Sequence, residues 1–173
     1  NPPVEAFFLP ADEGQRLYIH HAPRGPGHAR GAVLYVHPFA EEMNRSRRMA
    51  AQQARALAAL GFAVLQPDLH GCGDSSGESG DARWATWLGD LDAAAAWLRG
   101  RSGAPLVLWG LRLGALLALD YARAAAHPPA AVLLWQPVQD GQAFVNQFLR
   151  LRMAGDMLAG DSGAGASTTA ALR

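Results

Sequence analysis

Four short apolar runs alternate with segments of helical periodicity, and this alternation limits the folds open to the chain more than any other feature. Each run has the length of a strand and is apolar throughout, which is typical of strands buried on both faces. The runs are 32–36, 62–65, 105–109 and 131–135. Helices are predicted over 46–60, 84–98, 115–125 and 142–153. The pattern predicts an α/β fold with a mostly parallel sheet and helices on both faces.

The two ends of the chain differ from this alternating core. Residues 4–9 and 16–22 are β-type runs around a turn at 11–14, which predicts an antiparallel N-terminal hairpin. Asp81 is a candidate cap for the second helix. The core is expected over 1–155, and 156–173 is expected to form a poorly packed tail or the start of a cap region, since it has few large apolar residues.

Composition excludes several classes of protein. The 173 residues suit about one domain, and 15 basic residues balance 15 acidic ones. This balance gives no support for a nucleic-acid partner, and no apolar stretch has the roughly 18 residues of a membrane span. A single cysteine, Cys72, excludes an internal disulfide and makes the cytoplasm the default location. No metal spacing and no phosphate-binding lysine motif is present, so we expect no cofactor.

Gly110–Gly114 (GLRLG) joins a predicted strand directly to a predicted helix. In parallel sheets the reactive site lies at the carboxyl ends of the strands, which selects loops 37–45, 67–80, 110–114 and 136–141. The glycine spacing is that of the nucleophile elbow, G-x-S-x-G, in which a tight turn exposes its central residue. We therefore predict a tight strand-to-helix turn with Arg112 at its apex.

The chain resembles the α/β-hydrolase fold. His37-Pro38-Phe39 occupies the place of that family's oxyanion loop, and Pro67–Gly77 follows its pattern D-x-x-G-x-G-x-S-x-G. Within the superfamily, the runs HPFAEEMNRSRRM, LWGLRLGALLA and WQPVQDGQAFVNQFLRLR resemble the bacterial exosortase A system-associated hydrolase 2 proteins. This resemblance implies an ester, thioester or acyl substrate and a role beside a polysaccharide-export and protein-sorting system. It also implies that a cap region and the strands that carry the triad histidine follow the sixth strand.

Arg112 stands where the family has its nucleophile. A guanidinium has no lone pair that attacks a carbonyl, so the acyl-enzyme route through this position is closed. Three interpretations remain open: a structural ion pair, a site where Arg112 and the amides of Leu113 and Phe39 bind an anion, or a drifted position. Glu41, Glu42 and Asp74 are the candidate partners, although solvation is favoured for the two glutamates.

Other candidate residues each have a structural alternative. His37 is expected to order its loop through hydrogen bonds. Ser75, Ser76 and Cys72 are weak candidates for a displaced nucleophile, and the two serines, with Asp74, are favoured as loop-stabilising residues. Asp140 is a candidate acid after the sixth strand, with a turn role favoured. The sequence thus supports two functions: a hydrolase of an ester, thioester or acyl bond, or an inactive fold that binds an anion or a partner. We expect no serine-esterase activity.

Overall fold

The computed structural model describes residues 3–164. It divides into two compact units, with the division between Pro137 and Val138. The strands are β1 (Val4–Pro10), β2 (Gln15–His21), β3 (Ala32–Val36), β4 (Ala63–Pro67), β5 (Leu106–Leu111) and β6 (Ala131–Trp135). The helices are α1 (Glu41–Ala59), α2 (Trp84–Ser102), α3 (Leu113–Ala124) and α4 (Gly141–Ala164), with a 3₁₀ turn at Ser79–Asp81.

The six strands form one mixed sheet in the order β1-β2-β4-β3-β5-β6. The hairpin strands β1 and β2 are antiparallel, and β2 joins β4 antiparallel. The strands β4, β3, β5 and β6 run parallel to one another. The sequence predictions of a mostly parallel sheet and an N-terminal hairpin are therefore confirmed.

Apolar side chains on both faces of β3 explain why this strand lies at the centre. Residues alternate between the faces of a strand. Val33 and Tyr35 pack with Ala50 and Ala54 of α1, in a cluster that also contains Trp109. The helices α2 and α3 contact each other and β3, where Leu34 is fully buried. This packing brings the carboxyl ends of the parallel strands to one edge of the sheet.

Two helix starts differ from the sequence predictions. Helix α1 begins at Glu41, five residues before the predicted start at Ser46. Acidic residues in a first turn interact favourably with the helix dipole, and Glu41 and Glu42 both lie there. Asp81 does not cap α2, so that prediction was wrong. Its Oδ2 accepts a hydrogen bond from the Glu78 N–H (2.9 Å) in the 3₁₀ turn, and α2 begins after Arg83 without a side-chain cap.

The second unit contains α4. This helix continues to Ala164, beyond the predicted end at Met153. The tail was predicted over 156–173: residues 156–164 belong to this helix, and 165–173 lie outside the described residues. The division at residue 155 stays a prediction. No helix in the described part of the chain is both long and apolar enough to cross a membrane.

Candidate functional site

The elbow forms as the glycine spacing predicts. Strand β5 ends at Leu111, helix α3 begins at Leu113, and Arg112 lies between them with φ 56° and ψ −120°. A positive φ is strained for a residue with a side chain, and such strain is found where the surrounding structure imposes it. The prediction of a tight strand-to-helix turn with Arg112 at its apex is confirmed.

Close backbone packing explains the two glycines. A Cβ on Gly110 would lie 2.5 Å from the Cα of Ala115. A Cβ on Gly114 would lie 2.5 Å from the carbonyl oxygen of His37 and would also collide with that of Val36. Both positions therefore exclude any side chain, and they hold the first turn of α3 against the end of β3.

Arg112 forms an ion pair with a residue that lies far from it in the sequence. Its Nε donates to Oε1 of Glu42 (3.3 Å), and its guanidinium also donates to the carbonyl oxygen of Gln136 (3.2 Å). The Arg112 and Glu42 side chains are 36% and 37% exposed. A cation at a helix N-terminus is unfavourable, and the carboxylate of Glu42 offsets that charge. Of the three interpretations of Arg112, the structural ion pair is the one that the structure contains.

The expectation that both glutamates are solvated was wrong for Glu42. Glu41 is exposed. Glu42 is half-buried and pairs with Arg112, because α1 begins early enough to place it in the first turn, beside the elbow. Its second oxygen, Oε2, is shielded from solvent and has no hydrogen-bond partner among the described residues. The third candidate partner, Asp74, is exposed, and its N–H donates to Asp68.

The oxyanion loop and the elbow meet around a small pocket. His37, Phe39 and Leu113 line it, with Trp87 and Leu117 on its apolar side. Its interior volume is about 10 Å³, which is space for roughly one water. The Leu113 N–H opens helix α3 and so has no partner within the helix. Arg112 is not among the lining residues. Phe39 and Leu113 therefore share one pocket, as expected, whereas the Arg112 guanidinium does not line it.

His37 orders the oxyanion loop, as its structural interpretation predicts. Its Nδ1 donates to the Pro38 carbonyl oxygen (2.7 Å), and its Nε2 accepts from the Leu69 N–H (3.2 Å). These bonds require a neutral imidazole that carries its proton on Nδ1. The pKa of His37 lies below its usual value of 6.5, mainly because the ring is buried. With both nitrogens occupied, this histidine has no free position for proton transfer.

The two serines proposed as displaced nucleophiles hold the glycine-rich loop to strand β2. The Ser75 hydroxyl donates to the Asp68 carbonyl oxygen (2.6 Å) and accepts from the Leu17 N–H (2.9 Å). The Ser76 hydroxyl accepts from the Gln15 N–H (3.0 Å). Neither serine has a hydrogen bond to an imidazole or carboxylate base in the described residues, and both perform the loop-stabilising role that the sequence favours.

Cys72 and Asp140 also have structural environments. Cys72 is buried, and burial raises its pKa to about 12, which is the opposite of an activated thiolate. Asp140 belongs to the second unit, where its Oδ1 accepts from the N–H groups of Gln142 and Ala143 (2.9 and 3.1 Å) and caps α4. The favoured turn role of Asp140 matches this geometry.

Sequence reasoning assigned no role to two buried carboxylates that organise the loops, although Asp68 is the first residue of the D-x-x-G-x-G-x-S-x-G pattern. Asp68 accepts from the Arg47 guanidinium and the Asp74 N–H, both at 3.0 Å. Asp90 accepts from Arg16 Nε and from the His70 N–H, both at 2.8 Å. A signal for Asp90 was available, because it lies three residues after Trp87 and four before Ala94, on the buried face of α2. No group of three or more metal-ligating side chains occurs in the described part of the chain.

Comparison with solved structures identifies the same fold in several hydrolases. The structure matches a soluble variant of monoglyceride lipase from Saccharomyces cerevisiae with a TM-score of 0.70 and 20% identity, over 93% of this chain and 53% of the lipase. It matches XC6422 from Xanthomonas campestris, an α/β serine hydrolase without a lid, with a TM-score of 0.62 and 22% identity, over 76% and 69% of the two chains.

Sequence comparison gives two related proteins that are longer than this chain. An uncharacterized protein of Mycobacterium tuberculosis, Rv2307c, is 34% identical over 139 residues, which are 79% of this chain and 46% of that protein. The human protein ABHD12B is 32% identical over 109 residues, or 61% and 29% of the two chains. This chain therefore spans less than half the length of either relative.

The match to a family model extends over most of the chain. The model is described as serine aminopeptidase, S33, and it covers residues 27–159, from the loop before β3 into α4. This range contains the elbow and the oxyanion loop. The chain belongs to the serine aminopeptidase S33 family of the α/β-hydrolase superfamily.

Proposed function

We propose that this protein is an α/β-hydrolase family member that binds its ligand or partner without forming an acyl-enzyme at the elbow. The observation that carries the proposal is Arg112 at the apex of the elbow, paired with Glu42 and the Gln136 carbonyl. The pair fills the position from which a nucleophile would attack, and a protonated guanidinium has no electron pair to donate. The structural roles of Ser75, Ser76 and Cys72 further support the absence of a displaced nucleophile.

The context of this binding role is the polysaccharide-export and protein-sorting system to which the sequence resemblance points. The test is genetic. We expect deletion of the gene, in a bacterium that encodes it, to lower the amount of exported polysaccharide, and the unmodified gene to restore that amount. Complementation by Arg112→Ser tests whether the elbow pair takes part in that role. Unchanged export after deletion contradicts the link to the export system.

A second candidate function is hydrolysis of an ester, thioester or acyl bond. It is favoured by one feature, the pocket in which Phe39 and Leu113 lie together at the N-terminus of α3, as an oxyanion site requires. In this version the attacking group comes from outside the described residues, or water attacks directly. The two candidates share the scaffold and differ in whether a bond is broken.

Esterase assays and active-site labelling separate the two candidates. The protein is incubated with short-chain p-nitrophenyl esters and, separately, with a fluorophosphonate probe. We expect no turnover above a heat-treated control and no labelled residue. Arg112→Ser places a hydroxyl on the elbow, and Ser76→Ala is the matched control away from it. Turnover by the unmodified protein, or labelling of Ser75 or Ser76, contradicts the binding proposal.

A sulfate titration tests whether Arg112 is available to an anion. Because Glu42 is paired with the guanidinium, sulfate has to displace a carboxylate to reach it. We expect little stabilisation of the unmodified protein in a thermal-shift titration, and more for Glu42→Gln, which keeps the side-chain length but removes the charge. Equal stabilisation of Glu42→Gln and Arg112→Ser would exclude the guanidinium as an anion site.

A further inference from the structure

A cavity lies between helix α1 and the side of the sheet that this helix covers. Its volume is about 170 Å³, whereas packed protein interiors leave few voids larger than a water molecule. Tyr35 of β3, which belongs to the side-chain cluster packed with α1, lines this α1 cavity. The small pocket beside the elbow is lined instead by Trp87 of α2 and Leu117 of α3. His37 lines both, so the two spaces are separate and meet at one side chain.

The side chains that α1 directs toward the sheet explain why the cavity exists. Met43, Arg47, Ala50 and Ala51 lie on one face of the helix, and all four line the cavity. The first two side chains are long, whereas each alanine has only a methyl group. Met43 and Ala50 are buried, and Arg47 and Ala51 are half-buried. The cavity therefore has a buried base and a rim that solvent reaches.

The polar side chains of the cavity wall already have partners within the protein. Both ring nitrogens of His37 are hydrogen-bonded. The Gln66 Oε1 is bonded to a histidine of β2 (2.9 Å), and the Asp68 Oδ2 accepts from the Arg47 guanidinium (3.0 Å). The hydroxyl oxygen of Tyr35 is shielded from solvent, so it does not face the cavity. A charged ligand would lose its hydration to wall groups that are already paired, which is unfavourable.

The rest of the wall is apolar and suits one small ring or a short chain. Ile19 of β2 and Pro67 of β4 complete it, together with Met43 and the two alanines. The ion pair between Arg47 and Asp68 adds no net charge. An apolar cavity of about 150 Å³ is large enough to bind benzene, and burial of apolar surface drives such binding. The volume of the α1 cavity therefore matches an uncharged group of about that size.

We propose that the α1 cavity binds an uncharged apolar group, either one aromatic ring or a short alkyl chain. The group lies against Ile19 and Met43, and it enters past Ala51 at the rim. His37, which holds the oxyanion loop through the Pro38 carbonyl oxygen, also lines the cavity. The proposal does not depend on whether the elbow is catalytic, because residues 110–114 do not line this cavity.

Ile19 provides a direct test, because it is the only isoleucine in the chain. Its δ1-methyl group therefore has a signal of its own in a ¹³C methyl NMR spectrum. Titration of the unmodified protein with benzene is expected to shift this signal until it saturates, together with the signal of the Met43 methyl group. The internal control is the methyl signal of Met153, which is 59% exposed on α4 and is expected not to move.

Two alanine substitutions on α1 separate binding in the cavity from general binding to the protein. Ala51→Leu places a larger side chain at the rim, and Ala56→Leu makes the same change at an exposed position of the same helix. We expect the dissociation constant for benzene to rise at least about tenfold in Ala51→Leu, the equivalent of about 1.4 kcal/mol. In Ala56→Leu we expect it to stay that of the unmodified protein.

Two further probes, n-pentanol and benzoate, define the ligand. A response to benzene alone assigns a ring, a response to n-pentanol alone assigns a chain, and a response to both assigns either group. Tighter binding of benzoate than of benzene overturns the assignment of an uncharged ligand. An Ile19 methyl signal that neither neutral probe shifts overturns the proposal, as does an equal shift of Met153 or equal affinity of the two alanine variants. The unmodified protein alone decides the first two of these outcomes, whether or not Ala51→Leu folds.

Discussion

Replacing Arg16 with methionine is expected to destabilise the fold strongly, because it leaves a buried carboxylate without its cation. Arg16 and Asp90 are separated by 2.8 Å, and their side chains are only 3% and 8% exposed. Removing one partner of a buried pair typically costs about 3–5 kcal/mol. That is a large part of the roughly 5–15 kcal/mol by which a domain is stable. Within residues 3–164, the His70 N–H is then the one remaining hydrogen-bond donor to Asp90.

The matched control is Arg101→Met, the same substitution in an exposed pair. Arg101 and Glu5 are 56% and 52% exposed, so this variant is expected to lose about 0.2–1 kcal/mol. Urea unfolding followed by circular dichroism at neutral pH gives both free energies. The double variant Arg16→Met/Asp90→Asn removes the unpaired charge and is expected to recover at least about 1 kcal/mol relative to Arg16→Met. Equal losses in the two single variants would refute the reasoning from burial.

Three further predictions follow from the packing and burial of particular residues. Gly114→Ala places a methyl group against the carbonyl oxygens of Val36 and His37, and we expect it to lower the free energy of unfolding in urea by about 1–3 kcal/mol. The control is Gly89→Ala in α2, where a Cβ would meet nothing within 4 Å; we expect this variant to be more stable than the unmodified protein. Burial lowers the pKa of His37 below the usual 6.5, so the unfolded chain binds more protons. The contribution of His37 to stability is therefore complete above pH 6.5 and is lost as the pH falls below that value. The free energy of unfolding falls by up to about 1.4 kcal/mol per pH unit in that range. We expect the free energy of unfolding of His37→Gln to depend less on pH. Burial raises the pKa of Cys72 to about 12. We therefore expect this thiol to resist iodoacetamide at pH 8 in the folded protein and to react once the protein is unfolded in urea. Rapid labelling of the folded protein would contradict the burial of Cys72.

Local sequence patterns predicted most of the sheet. Strands β3 and β6 have the predicted bounds, 32–36 and 131–135, because continuous apolar runs of this length favour a strand. Strand β3 is buried throughout, as predicted, whereas the predicted burial of β6 was wrong: β6 is the last strand of the sheet, and its residues are half-buried or exposed. The elbow was equally predictable, since close backbone packing at Gly110 and Gly114 tolerates no side chain. The start of α1 was not, because its first turn is stabilised by charge and carries little apolar periodicity.

The partners of the site residues depended on the tertiary structure. Glu42 and Arg112 are 70 positions apart, and they meet because parallel strands bring their carboxyl ends to one edge. The same holds for His37 and the Leu69 N–H, 32 positions apart. The sequence by itself determined the fold class, the elbow and the loss of its nucleophile, because each depends on neighbouring residues or on one side chain's chemistry. Only the tertiary structure decided that Glu42 is the partner of Arg112 and that Asp90 is the buried partner of Arg16, because hydrogen bonds and burial depend on which distant segments fold together.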